Sequence, residues 1–275
     1  MVVSPLEQFQ LRDGPQLVEL TRSVGWRHSL EDWATTLASG SVFGHRGEDG
    51  RIISSSAVYL FGECLASLGF VLVRPEARRR GLAQAAVSRC LEVAGTRSVF
   101  LVATPEGEPL YRGLGFVTVE SLHSLTRASG SGIHADGHCR PMGPADLRLA
   151  FEIDRQTFGA DRKIVLQNRC RQSVGTAILS GNDGFAWTTF TGETMIAGPV
   201  VAPDAEAAYR LIGHLLAGQA VPLRIDVFAS QERLIARLLK AGFAKGATRP
   251  LMLWNGLSLP GRRERLFAPV SLAFG

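Results

Sequence analysis

The apolar positions of this chain fall into runs that occur twice. Leu68-Gly-Phe-Val-Leu-Val-Arg-Pro75 is an extended apolar stretch closed by V-x-P, and Ile196-Ala-Gly-Pro-Val-Val-Ala-Pro203 repeats it 128 residues later. Short continuous runs of this kind, bounded by turn residues, read as buried strands. After the first run, Leu82, Ala86, Val87, Cys90, Leu91 and Ala94 recur at helical spacing and mark one apolar face. After the second, Ala208, Leu211, Ile212, Leu215 and Leu216 do the same. A strand follows each helix, over 98–104 and 222–228. A short helix then ends in Leu114-Gly-Phe116 in one case and in Ala241-Gly-Phe243, 127 residues on, in the other. The same elements in the same order and spacing predict two copies of one α/β unit. Each copy is expected to hold its own mixed sheet, with the V-x-P strand feeding a right-handed crossover. The Ser/Gly-rich stretch between them reads as a linker, dividing the chain into 1–127, a linker at 128–139, and 140–275.

Composition supports two packed domains. The chain has 275 residues, 45% hydrophobic and 20% charged, which excludes wholesale disorder. Lys and Arg number 30 against 25 Asp and Glu, giving a net charge of +5. The excess is scattered, with dense runs only at Arg78-Arg79-Arg80 and Arg262-Arg263 with Arg265, so no basic stripe points to nucleic acid as a partner. Only Lys163, Lys240 and Lys245 are lysines, a bias that fits a GC-rich bacterial genome better than a functional demand. No run approaches the ~18 apolar residues of a membrane span, and Met1 to Asp13 lacks a signal-peptide pattern. Cys64, Cys90, Cys139 and Cys170 form no C-x-x-C pair, which fits a reduced, cytoplasmic chain. His134, His138 and Cys139 lack the fourth ligand of a zinc site, so no metal is expected.

One segment carries chemistry. From Val73, Arg74-Pro-Glu-Ala-Arg-Arg-Arg-Gly-Leu-Ala83 runs from a strand through a turn into a helix with the small residues Gly81 and Ala83 in its first turn. Small side chains there let an anion reach backbone N–H groups that have no intrahelical partner, and the helix dipole favours negative charge. Neither G-x-G-x-x-G nor G-x-x-x-x-G-K-[ST] is present, so dinucleotide and nucleoside-triphosphate folds lose support.

Arg78-Arg79-Arg80-Gly81-Leu82-Ala83 fits the [QR]-x-x-G-x-[GA] signature, and Leu110-Tyr111-Arg112-Gly113-Leu114-Gly115-Phe116 resembles the L-Y-x-x-L-G-F helix and turn, of the GNAT superfamily of N-acetyltransferases. Further phrases resemble its tandem two-domain bacterial subgroup with a degenerate C-terminal domain: Gly25-Trp26-Arg27-His28, Asp32-Trp33, Ala103-Thr104-Pro105-Glu106-Gly107 and Thr157-Phe158-Gly159-Ala160-Asp161-Arg162. The resemblance implies an α/β fold of two tandem GNAT domains, each a mixed, mostly antiparallel sheet flanked by helices. It implies that the amides of residues 78–83 hold the pyrophosphate of acetyl-CoA, and that Val71, Leu72 and Val73 end a splayed strand that receives the pantetheine and acetyl group. Tyr111 would face the sulfur as general acid, and a backbone N–H around Leu72 or Val73 would polarise the thioester carbonyl. Trp26, Trp33 and Glu63 are candidate acceptor-binding residues. Glu63, Glu31, Asp32 or a water chain could each serve as base.

In the second copy the 128-residue offset places Tyr209 where Gly81 stands and Glu206 where Arg78 stands, and the 127-residue offset places Leu238 at Tyr111. Cradle and hydroxyl are both missing, so this half is expected to help form the acceptor site and not to be a second catalytic centre. The expected function is acetyl-CoA-dependent transfer to the primary amine of a small molecule by direct attack on the thioester. A peptide or protein N-acetyltransferase and a non-catalytic acyl-CoA-binding sensor are the alternatives. No membrane partner is expected, and the chain is expected to be a monomer or homodimer.

Overall fold

The computed structural model describes residues 5–128, 137–256 and 258–275. The first half runs β1 (Glu7–Phe9), α1 (Gly14–Ser23), α2 (Leu30–Ser39), β2 (Ser41–Arg46), β3 (Ile52–Phe61), β4 (Leu65–Val73), α3 (Leu82–Ala94), β5 (Ser98–Val102), α4 (Glu108–Gly113) and β6 (Val117–Arg127). The second runs β7 (Cys139–Arg140), α5 (Asp146–Phe158), α6 (Lys163–Arg171), β8 (Ser173–Leu179), β9 (Phe185–Thr191), β10 (Thr194–Val201), α7 (Ala205–Leu216), β11 (Leu223–Phe228), α8 (Glu232–Lys240), β12 (Ala244–Trp254) and β13 (Leu266–Ala268). From α1 to β6 and from α5 to β12 the elements repeat in the same order. Their apolar faces explain the match: Leu82, Ala86, Val87, Cys90 and Ala94 are buried on α3, and Ala208, Leu211, Ile212 and Leu215 on α7.

The two copies do not each close a sheet of their own, contrary to what the repeat predicts. All strands join one path, β1-β2-β3-β4-β5-β12-β6-β11-β10-β9-β8-β7, with β13 on β10. Each half gives the last strand of its repeated unit, β6 or β12, to the other. β12 pairs antiparallel with β5, Leu251 opposite Val102, and β6 pairs antiparallel with β11, Leu125 opposite Ile225. The exchanged strands also pair with each other, Leu253 opposite Val117. Two copies of one unit offer equivalent edges at β5 and β11, so either last strand can complete either sheet.

Three large clusters form the core, beside a small one of Ile53, Ala77 and Leu82. One face of the first half packs on α3 and α4 through Val87, Cys90, Tyr111 and Phe116, and one face of the second packs on α7 and α8 through Leu211, Ile212, Leu234 and Leu238. The opposite face is shared by both halves. Trp33, Tyr59, Phe61 and Phe100 of the first half meet Phe158, Phe185 and Trp187 of the second in one cluster. Burying each such ring is worth roughly 1.5–3 kcal/mol, so the interface between halves is as apolar as a domain core. Residues after β13 run into this cluster. Ser67 Oγ donates to Ala273 O at 2.9 Å, Phe274 packs edge-on to Tyr59, and the buried Arg162 is held by both carboxylate oxygens of Asp154 (2.7 and 2.9 Å) while donating to Phe274 O (3.0 Å).

Candidate active site

Strand β4 pairs in parallel with β5 only from Leu65 opposite Ser98 to Ser67 opposite Phe100, and beyond Ser67 the two part. The register with β3 slips at the same level: Ala57 faces Gly69 but Ser55 faces Leu72, so β4 carries one extra residue. Phe70 takes a positive φ of 51° there, a β-bulge. Ser55 Oγ donates to Phe70 O at 2.8 Å, which turns that carbonyl toward β3. The planar trans peptide therefore points the Val71 N–H the other way, into the gap where β5 has departed. Past the bulge, Arg74 N–H donates to Ile53 O at 2.9 Å. Donor directions alternate along a strand, so Leu72 N–H faces β3 like Arg74, and Val73 N–H faces the gap. The donors offered to the gap are thus those of Val71 and Val73; the ladder with β3 takes up the amide of Leu72.

Below the gap, Arg79 (φ 61°) and Gly81 (φ 75°) both sit in the left-handed region, and Gly81 caps α3 with no side chain over the helix end. The first backbone bond of the helix is Ala85 N–H to Gly81 O (3.0 Å), so the amides of Leu82, Ala83 and Gln84 have no intrahelical acceptor. A Cβ placed on Gly81 would meet no atom within 4 Å, so the approach to these amides is open. Arg78, Arg79 and Arg80 are exposed around the turn. Such a left-handed turn leading into a helix N-terminus forms an anion-binding concavity.

Tyr111 lies on α4, its ring buried against Phe116 with centroids 5.8 Å apart. Among the described residues its hydroxyl has no hydrogen-bond partner. Burial, with a smaller contribution from the Cys90 thiol, pushes its pKa above the ordinary value, so the phenol keeps its proton at neutral pH.

On the shared face, the bulge residue Phe70 is flanked by rings. Trp33, fully buried on α2, lies 4.6 Å from it between centroids, His28 lies 4.9 Å away, and Trp26 lies 5.8 Å from His28. Trp33 lies on α2 against Phe70, whereas Trp26 lies before α2 and meets the Phe70 ring's neighbour His28. Asp32 is committed elsewhere. Its carboxylate accepts from Ser29 N–H (2.9 Å) and Ser29 Oγ (3.0 Å), while Asp32 N–H donates to Ser29 Oγ (3.1 Å) to close a capping box, and the carboxylate also accepts from Arg169 Nη1 of α6 at 2.9 Å. Burial pulls its pKa up, but the Ser29 amide and Arg169 outweigh this and hold it below the ordinary carboxylate value. Glu31 is exposed, and Glu63 sits in the β3–β4 turn, seven residues or roughly 23 Å along the strand from Phe70, so the fold does not bring it to the bulge.

The second half walls this space. Gln172 donates to Thr35 Oγ1 (3.0 Å), and Arg27 meets Glu193 in the β9–β10 turn (3.7 Å). On the exchanged strands Arg249 Nη1 donates to Ser124 Oγ at 3.0 Å, Ser124 donates to Asp226 of β11, and Arg224 of β11 pairs with Asp226 at 2.9 Å. Strand alternation puts these side chains on the same face as Leu251, Leu122 and Phe228 of the shared core, and Arg249 lies two residues beyond the partner of Val102, at the end where β4 and β5 part.

The matching positions of the second half are closed. β10 also bulges, between Ala197 and Val200, but β13 pairs with β10 at Val200 and Val201, and Gly198 lies so close to Pro269 O that no Cβ would fit. Pro199, at the place of Val71, has no N–H. Helix α7 begins at Ala205, so Tyr209 lies one turn inside it and does not cover its end, a correction to the constant-offset reading. The end is covered by Asp204, whose carboxylate accepts from Ala207 N–H at 2.8 Å. The cavity at this helix end, about 230 Å³, is lined by Asp183, Asp204 and Glu206. Leu238 does stand at the place of Tyr111: Phe116 N–H bonds Tyr111 O and Phe243 N–H bonds Leu238 O, both at 3.0 Å. Among the described residues no three His, Cys, Asp or Glu side chains gather as metal ligands, and His134 lies outside them. None of their helices is long and apolar enough to cross a membrane.

A strand that bulges and parts from its neighbour above an uncapped helix, followed by a tyrosine on the next helix, defines a GNAT acyltransferase centre. Residues 7–116 match the Acetyltransferase (GNAT) family and residues 150–268 the Acetyltransferase (GNAT) domain. The chain belongs to the GNAT acetyltransferases, with two such domains in tandem, and is an N-acetyltransferase. Its relatives include the uncharacterized N-acetyltransferase YitH of Bacillus subtilis (strain 168), 29% identical over 267 residues and spanning 94% of both chains. Among solved structures, a putative acetyltransferase from Pyrococcus horikoshii has a TM-score of 0.84 at 17% identity, covering 98% of this chain and 95% of that one. A tandem GNAT protein from the clavulanic acid biosynthesis pathway has a TM-score of 0.65 at 14% identity, covering 92% of this chain and all of the other. At these identities the structures speak for the shared fold.

Proposed function

We propose that this N-acetyltransferase transfers the acetyl group of acetyl-CoA to the primary amine of a small molecule, with one catalytic centre in residues 1–127 and with residues 140–275 completing the acceptor site. The observation that carries this reading is the asymmetry between halves. Among the described residues, only those of the first half combine an uncapped helix end, a gap between strands and a tyrosine.

The GNAT fold uses acetyl-CoA or CoA, and the first half fits it. The amides from Arg79 to Ala83 suit a pyrophosphate, and the amides facing the gap suit a thioester oxygen. The thioester supplies an activated acetyl group, and the protein supplies placement and proton control. A primary amine of pKa ~10.4 is neutral in only about one molecule in 2,500 at pH 7, so proton removal matters as much as proximity. The Val71 N–H stabilises the charge that develops on the carbonyl oxygen, and Tyr111 protonates the leaving sulfur. A small acceptor is favoured over a peptide because the second half lies across the acceptor side through Arg169, Glu193 and Asp226, where a peptide would need an open groove or a free strand edge. The unengaged hydroxyl of Tyr111 favours an enzyme over an acyl-CoA sensor.

Calorimetry with acetyl-CoA tests the reading. One site per chain is expected. Gly81→Glu, which sets a carboxylate at the anion position and strains the left-handed turn, is expected to weaken binding by about a hundred-fold or more without unfolding the chain. Two equivalent sites, or unchanged affinity in the variant, would overturn it.

A further inference from the structure

We propose that His28 is the general base that takes the proton from the acceptor amine. This rests on the acceptor reading above and adds the residue that it lacks. His28 stands in the loop between α1 and α2 with its ring 4.9 Å from that of Phe70, whose bulge turns the Val71 amide toward the gap. Among the described residues neither ring nitrogen has a hydrogen-bond partner, and Nδ1 is sealed from solvent. Leaving such a polar atom unpaired costs about 1–3 kcal/mol. The Nδ1 atoms of His45 and His123 meet Ser54 Oγ at 2.7 Å and Thr248 Oγ1 at 2.9 Å; His214 on α7 shares the unpaired Nδ1 with His28, but it is His28 whose ring packs on the bulge residue of β4.

The groups facing His28 are Trp26 on its own loop, Phe70 of β4, and the Asp32–Arg169 ion pair of α2 and α6. Burial lowers the imidazole pKa below its ordinary 6.5; Asp32 offsets part of this and Arg169 adds to it, so the ring is neutral at pH 7. Asp32, tied to Ser29 and Arg169, does not compete for the proton, but its charge steadies the imidazolium as it forms.

The step balances. An amine entering as ammonium first loses one proton to solvent. Its nitrogen attacks the thioester carbon, the N–C bond forms, and a second proton passes to Nε2 of His28, the ring nitrogen that is not sealed. The C–S bond breaks and the sulfur takes the proton of Tyr111. His28 then releases its proton to solvent and Tyr111 regains one.

The test compares His28→Gln with wild type in a CoA-release assay, using the best acceptor from a panel of an amino sugar, a polyamine, an aminoglycoside and free lysine. The variant is expected to lose about a hundred-fold in kcat at pH 7 and to keep only the acid-side fall of kcat/KM that protonation of the amine imposes, without the additional, steeper fall below the imidazole pKa, while acetyl-CoA affinity stays within about threefold. Turnover within about threefold of wild type with the additional, steeper acid-side fall retained would overturn the role. Should the variant fail to fold, the wild-type ring can be followed by NMR with acetyl-CoA bound. A ring neutral at pH 7 is expected, and a protonated one overturns the proposal. If wild type binds acetyl-CoA yet acetylates nothing in the panel, the acceptor reading falls and the base with it.

Discussion

The two halves match element for element and differ where chemistry needs an unsatisfied donor. In the first, the bulge leaves Val71 with an N–H facing the gap; in the second, Pro199 has none. Helix α3 starts at Gly81 with its amides open, whereas α7 starts under the carboxylate of Asp204. β4 and β5 part after Ser67, whereas β10 and β11 stay paired through Ala197 and β13 adds itself to β10. A missing helix cap and an unpaired donor each cost about 1 kcal/mol. The second half has removed these costs and kept its core. A site and the fold that carries it are therefore separable, since the buried apolar face of α7 on β10 and β11 needs none of the site's donors.

Cutting the chain after residue 127 is expected to have the largest effect. The fragment would lose β12 from between β5 and β6, leaving β5 with an open edge and β6 with no neighbour, and it would expose the shared core. We expect fragment 1–127 to be unfolded or aggregated by circular dichroism and size-exclusion chromatography, and to recover structure when co-expressed with 128–275. A folded, active fragment would show that the exchanged strand is dispensable.

Val71→Pro brings the residue of the second half into the first. The Val71 amide carries no bond in the ladder with β3, so the fold should hold while kcat falls roughly 10²–10³-fold, the usual cost of one lost donor to a developing oxyanion. Acetyl-CoA affinity should change little. Pro199→Val should create no activity, since β13 covers that bulge. Wild-type turnover in Val71→Pro would take the amide out of the mechanism.

The smallest effect belongs to the helix–turn pair. Tyr111→Phe should lower kcat roughly ten- to a thousand-fold and leave acetyl-CoA binding nearly unchanged. The reciprocal Leu238→Tyr should bring no activity and should lower stability by about 1–3 kcal/mol, because it forces a hydroxyl into a fully buried apolar position. Equal turnover of Tyr111→Phe and wild type when chemistry limits the rate would reduce Tyr111 to packing.

Much of the difference between halves is legible without coordinates. The paired runs at 68–75 and 196–203 place β4 and β10 to within a few residues, and they set Pro199 against Val71, the plainest chemical mark of a silent bulge. Periodicity finds α3 and α7 because each must bury one apolar face. A constant offset fails across the following loop, where α7 begins at Ala205 instead of position 210, so Asp204 and not Tyr209 meets the helix end. Asp204 just before an apolar-periodic run is itself a readable N-cap. His28 is visible only as a histidine between two tryptophans, and nothing in that spacing reports that its ring nitrogens lack partners.

What the sequence by itself determined was the local layer: two α/β units, their strands and helices, the left-handed Gly81 turn, and the residue types at Tyr111, Leu238 and Pro199. These follow from side-chain periodicity and backbone chemistry over a few residues. Tertiary structure decided which strand completes which sheet, which way the amides of the bulge face, and which polar groups stay unpaired. β5 and β11 offer equivalent edges, so local preference cannot tell β6 from β12; the exchange goes together with one shared core that holds Phe61, Phe100, Phe158 and Phe185. The same packing brings α6 against α2 and thereby sets Asp32, Arg169 and His28 in their places.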